Sequence, residues 1–419
     1  MAQLNFILVQ LILVLAAARL VGALFRRIGQ AEVVGEMAAG LLLGPTFLGH
    51  FFPAVYSFCF PADRTQMLQG LARLGVWIFV FLVGLELDLS ALRRIGRAAV
   101  LTSNTSVLLP FLCGMGCAYL VYPQLSLPGV PFYAFALFIG MAMSITAFPV
   151  LARILKERGL TSSDTGVMAI ACAAVDDVTA WCLLAFIMLI VQPQKALMPV
   201  WLEYMLLAAY ILFMFSLLRP LLAWLQSKYA GNKLTPAAFS LILILLFASC
   251  SVTQLVGVHA LFGAFLFGVI LPKPEWLLKD LSSRLEPITS VLLLPLFFAV
   301  TGLRTDLTLL TSPAMWGYCA LVIAAAVLGK FAGALLPLRL TGSSWRQAAA
   351  VATLLNTRGL MELVVLSLGL ELGILSPAMY SIMVLMAVVT TFMTNPLLSA
   401  LLPASRIPIA AAAIPQRSY

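Results

Sequence analysis

Apolar residues fall into thirteen long runs along the chain, separated by short polar punctuation. Their approximate ranges are 4–25, 32–49, 68–88, 98–122, 131–156, 163–192, 198–227, 236–256, 258–272, 285–303, 314–338, 346–371 and 374–402. A helix that crosses a bilayer needs about 20 mostly apolar residues. Most runs meet that length with no period-2 alternation, so the pattern predicts an all-α polytopic membrane protein with 13 transmembrane helices. The connections are short and no long polar stretch interrupts them. One membrane domain over 1–405 is expected, followed by a short tail at 406–419.

The basic residues test this count. Seventeen of the 25 Lys and Arg fall after odd-numbered runs or in the tail, against three (Arg64, Lys195 and Arg304) on the opposite side. A missed or extra helix would scramble that alternation beyond the error. The bias predicts an N-terminus outside and a cytoplasmic C-terminus. Arg26-Arg27 follow the first run, which suits a retained helix better than a cleaved leader.

Composition agrees: 63% of residues are hydrophobic and 10% are charged, where a soluble domain carries about 25% charge. The net charge of +9 is explained by loop topology, so no nucleic-acid partner is expected. The seven cysteines and two histidines form no CxxC or His-rich pattern, which leaves no disulfide framework and no cofactor signal.

Two halves of the chain resemble one another. "FVFLVGLELDLSAL" (79–92) in the third run parallels "FFAVTGLRTDLTLL" (297–310) in the tenth. "GEMAAGLLLGP" in the second run parallels "ALFGAFLFGVILP" in the ninth. Both pairs lie seven runs apart, an odd number, so the halves must cross the membrane in opposite directions. Runs 1–6 and 8–13 then form an inverted repeat with run 7 as linker. Such repeats characterise secondary transporters, which bind substrate near the midplane on interrupted helices.

The interruptions are visible. "MSITAFPVLARIL" in the fifth run sets Ser144 and Thr146 just before Pro149, and "LLNTRGLMELV" in the twelfth carries Asn356, Thr357, Arg358 and Gly359. A proline kink and an Arg358–Glu362 i,i+4 ion pair would explain each alone. Their matching places in the two halves favour a binding site.

Ionisable residues inside the runs are few: Glu36, Asp176, Asp177, Lys330, Arg358 and Glu362. Charges at such depth cost several kcal/mol and usually serve a function. Glu36, near a helix start, suits a structural role equally well. Neighbouring helix positions diverge by about 100°, so one aspartate can pair with Lys330 while the other faces a water-filled cavity. Burial favours the neutral form of a carboxylic acid, and ionised carboxylate oxygens ligate hard cations such as Na⁺. Proton and cation then compete for one group.

The fifth-run segment, the Asp pair, Lys330 in "GKFAG" and "NTRGLMELVVL" together resemble the monovalent cation:proton antiporter family, over essentially the whole membrane domain. The resemblance implies a homodimer with a dimerisation domain and a core domain in which broken helices 5 and 12 cross and move in an elevator-like cycle. It implies that Asp177 is the cation- and proton-carrying carboxylate and that Asp176 pairs with Lys330. Thr146 and Ser144 correspond to the polar segment of the first broken helix. Pro149, Asn356, Arg358 and Glu362 correspond to core support. "ITAFPVLARIL" and "GLMELVVL" are closest to the potassium-type branch, whose members carry Asn or Gln before the second Asp and often add a cytosolic regulatory domain. Asp-Asp with lysine suits the electrogenic sodium-type branch. Exchange of Na⁺ (or Li⁺) for protons in a bacterial inner membrane is therefore expected first, electroneutral K⁺/H⁺ exchange second, and Na⁺-coupled organic-solute symport third. An intramembrane aspartyl protease does not fit, because adjacent aspartates on one helix diverge. No cofactor is implied, and the partners are the two ions and lipid.

Overall fold

The computed structural model describes residues 2–61, 64–86, 97–161, 163–191, 200–228, 234–256 and 259–402. Every regular element among them is helical. The first half comprises α1 (Ala2–Arg27), α2 (Glu32–Leu43), α3 (Pro53–Cys59), α4 (Gln66–Glu86), α5 (Arg97–Leu125), α6 (Phe132–Ser144), α7 (Phe148–Glu157) and α8 (Asp164–Val191). The seventh run gives α9 (Val200–Phe213) and α10 (Arg219–Lys228), joined by a π-helical turn. The second half comprises α11 (Pro236–Leu255), α12 (Ala260–Ile270), α13 (Glu275–Ile288), α14 (Leu294–Leu303), α15 (Pro313–Leu340), α16 (Trp345–Leu355), α17 (Leu360–Glu371) and α18 (Pro377–Leu401). The tail at 406–419 and the Asp88-Leu89 part of the repeat lie outside the described residues.

All thirteen apolar runs fold as helix, yet among the described residues only ten segments are long and apolar enough to cross a membrane. The bent pair α16–α17, with a 42° change of direction, makes eleven. The shortfall from thirteen lies at the second and ninth runs. These give α2, with 12 residues, and α12, with 11. At 1.5 Å per residue each covers roughly 18 Å, short of the ~30 Å hydrocarbon core. Proline explains both stops: Pro45 follows α2 and Pro272 follows α12, and proline cannot continue the hydrogen-bond ladder of the turn before it.

The short helices pack against long ones through glycine. Gly40 of α2 and Gly302 of α14 touch backbone to backbone, so a methyl group at either would overlap the other helix's main chain. Gly84 of α4 and Gly268 of α12 do the same. Without water to drive helix association in lipid, such small-residue crossings let backbones approach closely and gain dispersion contacts. A third contact set of this kind joins α5 to α15, where Gly329 and Gly333 meet Pro110, Thr105 and Ser106.

Gly302→Ala should destabilise the purified protein by about 1–3 kcal/mol, because the added methyl must push α2 from α14. Gly317→Ala, which meets open space within 4 Å, should change little. Thermal unfolding in detergent compares them. Equal melting temperatures would contradict the close crossing.

Candidate ion-exchange site

Two helices are unwound side by side. The fifth run breaks at Ile145–Ala147, between α6 and α7, with Ile145 extended and Ala147 also outside the helical region. Pro149, in the first turn of α7, has no N–H to lose there. The twelfth run breaks at Asn356–Gly359, between α16 and α17. The Ala147 N–H donates to the Thr357 carbonyl at 2.9 Å, which ties the breaks together.

Each break supplies a side chain to the other's helix end. A helix C-terminus exposes carbonyls that need donors, and in lipid water cannot provide them. The Arg358 guanidinium donates to the Ala142 carbonyl at 3.1 Å and to the Met143 carbonyl at 2.6 Å, capping α6. It also pairs with Glu362 at 3.3 Å, one turn along α17. The Thr146 hydroxyl lies 3.1 Å from the Leu355 carbonyl, the end of α16, and 2.8 Å from Asp176 Oδ2. It has one proton, and the charged acceptor at shorter range is the better recipient. Thr391 of α18 donates to the Arg358 carbonyl at 2.6 Å and accepts from the Arg358 N–H at 2.9 Å, holding the strand between α16 and α17.

Asp176 and Asp177 sit midway along α8, and the pair divides as neighbouring helix positions must. Asp176 meets Lys330 of α15 at 3.1 Å, with neither side chain exposed to solvent. Ser103 of α5 lies 2.6 Å from its Oδ1, and Ser106 lies 3.2 and 3.1 Å from its two oxygens. Asp176 therefore takes donors from three other segments: α5, the first break and α15. Asp177 is buried as well, but its Oδ1 has no hydrogen-bond partner. An acceptor that is buried and unpaired is costly unless a proton or a cation completes it.

The remaining residues singled out by sequence take these places. Ser144 is buried, and its hydroxyl donates locally to the Met141 carbonyl at 2.7 Å rather than to an aspartate. Asn356 caps α16 and leaves its Oδ1 buried without a partner. Glu36 is buried on α2. One turn before it, Glu32 binds Arg19 at 3.1 Å and Arg153 at 2.8 Å. Sequence reasoning missed Ser103, Ser106 and Thr391. The first two stand in "LTSNTSVLLP" (101–110), a polar knot within an apolar run, which was the available signal.

A saturated carboxylate beside an unsatisfied one, next to two helix breaks bonded to each other in a bundle of apolar helices, defines a membrane transporter of ions. Residues 12–402 match the transmembrane sodium/hydrogen exchanger family, and the chain belongs to that family of cation/proton antiporters, which are transporters and not enzymes. It is 42% identical over 402 residues to the Na(+)/H(+) antiporter NhaS4 of Synechocystis, covering 95% of this chain and 97% of that protein. It is 37% identical over 396 residues to cation/H(+) antiporter 19 of Arabidopsis thaliana, covering 94% of this chain and 49% of the plant protein. It is 34% identical over 417 residues to K(+)/H(+) antiporter 1 of Saccharomyces cerevisiae, covering 96% and 47%. The chain thus spans nearly all of the cyanobacterial relative and about half the length of the plant and yeast relatives. In fold it resembles the sodium proton antiporter MjNhaP1 of Methanocaldococcus jannaschii, with a TM-score of 0.64 at 15% identity over 95% of this chain and 97% of that one.

Asp176→Asn should destabilise the protein by roughly 3–5 kcal/mol, because it leaves the buried Lys330 ammonium without its counter-charge. A thermal-shift assay in detergent checks this. Wild-type stability would mean that Lys330 does not depend on Asp176.

Proposed function

We propose that the protein exchanges Na⁺ (or Li⁺) for protons at Asp177, electrogenically. The observation that carries this reading is the asymmetry of the pair: Asp176 is filled by Lys330 and hydroxyl donors, whereas Asp177 Oδ1 is buried and unpartnered. A proton on Asp177 satisfies it in one half of the cycle. A dehydrated cation, held by ionised oxygens and by neutral oxygens of the breaks, satisfies it in the other. Thr146, Ser144 and Asp176 are the candidates for those additional ligands. Lys330 releases its proton as Asp176 turns toward the cation, so that two protons move against one Na⁺ and net charge crosses the membrane.

The cycle is of elevator type. Helices from runs 4–6 and 11–13 form a core that carries the site, and those from runs 1–3 and 8–10 form the scaffold through which two copies make a homodimer. The exchanged glycine crossings, α2 with α14 and α4 with α12, support an inverted repeat, since a two-fold operation that swaps the halves turns one crossing into the other. The proposal sets the protein in a bacterial inner membrane, with an orientation, N-terminus outside and C-terminus in the cytoplasm, that rests on the loop charges. The full-length likeness to a sodium antiporter favours Na⁺. The likeness to the yeast potassium antiporter favours electroneutral K⁺/H⁺ exchange as the second reading.

Proteoliposomes under an imposed pH gradient decide between them. Na⁺ or Li⁺ should drive proton flux, faster when valinomycin and K⁺ clamp the potential than when charge accumulates, and Asp177→Asn should abolish it in a folded protein. Flux indifferent to the clamp would sink the electrogenic reading, and wild-type flux in Asp177→Asn would sink the site.

A further inference from the structure

In an α-helix the carbonyl of residue i accepts the N–H of residue i+4. Within α5 the partner due to Ser106 is residue 110, which is Pro110 and has no N–H. A carbonyl left open in lipid is costly. Here it is filled from another helix: Lys330 Nζ donates to the Ser106 carbonyl at 2.9 Å. The facing helix repeats the device. Within α15, Pro337 leaves the Gly333 carbonyl without its i+4 donor, and the Thr105 hydroxyl of α5 fills it at 2.6 Å. Two prolines thus free two carbonyls, and each is used across the same helix crossing.

We propose that Pro110 is a positioning residue for antiport: it reserves the Ser106 carbonyl as a seat for the Lys330 ammonium that is separate from Asp176. The proposal rests on the reading that Lys330 and Asp176 part during exchange. Ser106 then serves both charges. Its carbonyl holds the lysine, and its hydroxyl lies 2.9 Å from the Ser103 carbonyl and 3.1 Å from the carboxylate, which the hydroxyls of Ser103 and Thr146 also hold. As the ion pair opens, and before Lys330 gives up its proton, each charge keeps a hydrogen-bonding partner, which lowers the cost of opening it in a dry interior. Gly329, beside Lys330, lets the helices come this close, since a Cβ there would lie 2.7 Å from the Pro110 Cα. A proline that only kinked α5 would not need its freed carbonyl to face the one lysine of the site.

Other charged or titratable side chains also act on Lys330. They are Asp176 and Cys172 from α8 and Arg358 from the second break, while Lys330 in turn acts on Asp177 and Glu362. None of these lies on α5, so a change confined to the α5 backbone isolates the seat.

The test is the pH dependence of Na⁺-driven proton flux in proteoliposomes. Pro110→Ala keeps the Cα and Cβ that Gly329 touches but restores an N–H, which takes the carbonyl that the protonated lysine needs. The half-maximal pH should move toward acid by about half a unit or more. An α-hydroxy acid (lactate) at position 110 also removes the proline ring but carries no N–H, so it should retain the wild-type profile. Should Pro110→Ala fail to fold, the α-hydroxy acid counterpart of valine (α-hydroxyisovalerate) at 107 makes the Ser106 carbonyl an ester, a weaker acceptor, and should give the same acid shift. In Lys330→Gln none of these changes should move the profile. A Pro110→Ala profile that coincides with wild type, or a lactate variant shifted as far as alanine, would overturn the proposal. If wild-type protein moves no protons with Na⁺, Li⁺ or K⁺, the antiport reading fails instead. The seat is then read from melting temperature, which Pro110→Ala should lower in wild type but not in Lys330→Gln, and equal lowering in both would overturn it.

Discussion

A lysine and an aspartate that meet at 3.1 Å with no exposure to water set the terms for the rest of this molecule. Removing two ions from water costs several kcal/mol each even after relaxation, and their attraction offsets that only when the remaining hydrogen-bonding capacity is also filled. Around Asp176 and Lys330 it is filled from α5, the first helix break and α15. These segments cannot part far without stranding a charge. The glycines of α15 that meet α5, the proline that opens the Ser106 carbonyl, and the break that frees Thr146 all follow from the need to surround that pair.

The same economy explains the paired breaks. An unwound segment in a membrane exposes backbone groups that lipid cannot satisfy, so it is tolerated only where protein or a water-filled cavity meets it. Here each break satisfies the other: Arg358 caps α6, Thr146 reaches toward the end of α16, and the Ala147 N–H bonds the Thr357 carbonyl. Within this closed network Asp177 Oδ1 is an open valence. The proposed exchange of a proton for a cation draws on that unpartnered oxygen beside a filled ion pair.

Much of this was legible in the sequence, because charge in an apolar run is a loud signal. Asp176, Asp177, Lys330, Arg358 and Glu362 stand out on composition alone, and Pro149 and Gly359 mark the breaks. The helices themselves follow from apolar run length. Ten segments, or eleven with the bent pair, are long and apolar enough for full spans among the described residues, because the helices of the second and ninth runs have only 12 and 11 residues. The hydroxyl donors were harder to read. A serine in a membrane helix can bond its own backbone, as Ser144 does with Met141, or a distant carboxylate, as Ser103 does with Asp176. Only the fold tells these apart. The role of the Ser106 carbonyl was beyond sequence reading, because a freed backbone acceptor becomes meaningful only when its partner helix is known.

Exchange at Asp177 requires that one buried carboxylate gives up a proton as it takes a cation. The most direct measurement is proton release when Na⁺ is added to purified, weakly buffered protein. Binding should release protons in proportion to the Na⁺ bound, and the release should disappear in Asp177→Asn. Na⁺ binding with no proton release at any pH from mildly acid to alkaline would contradict it.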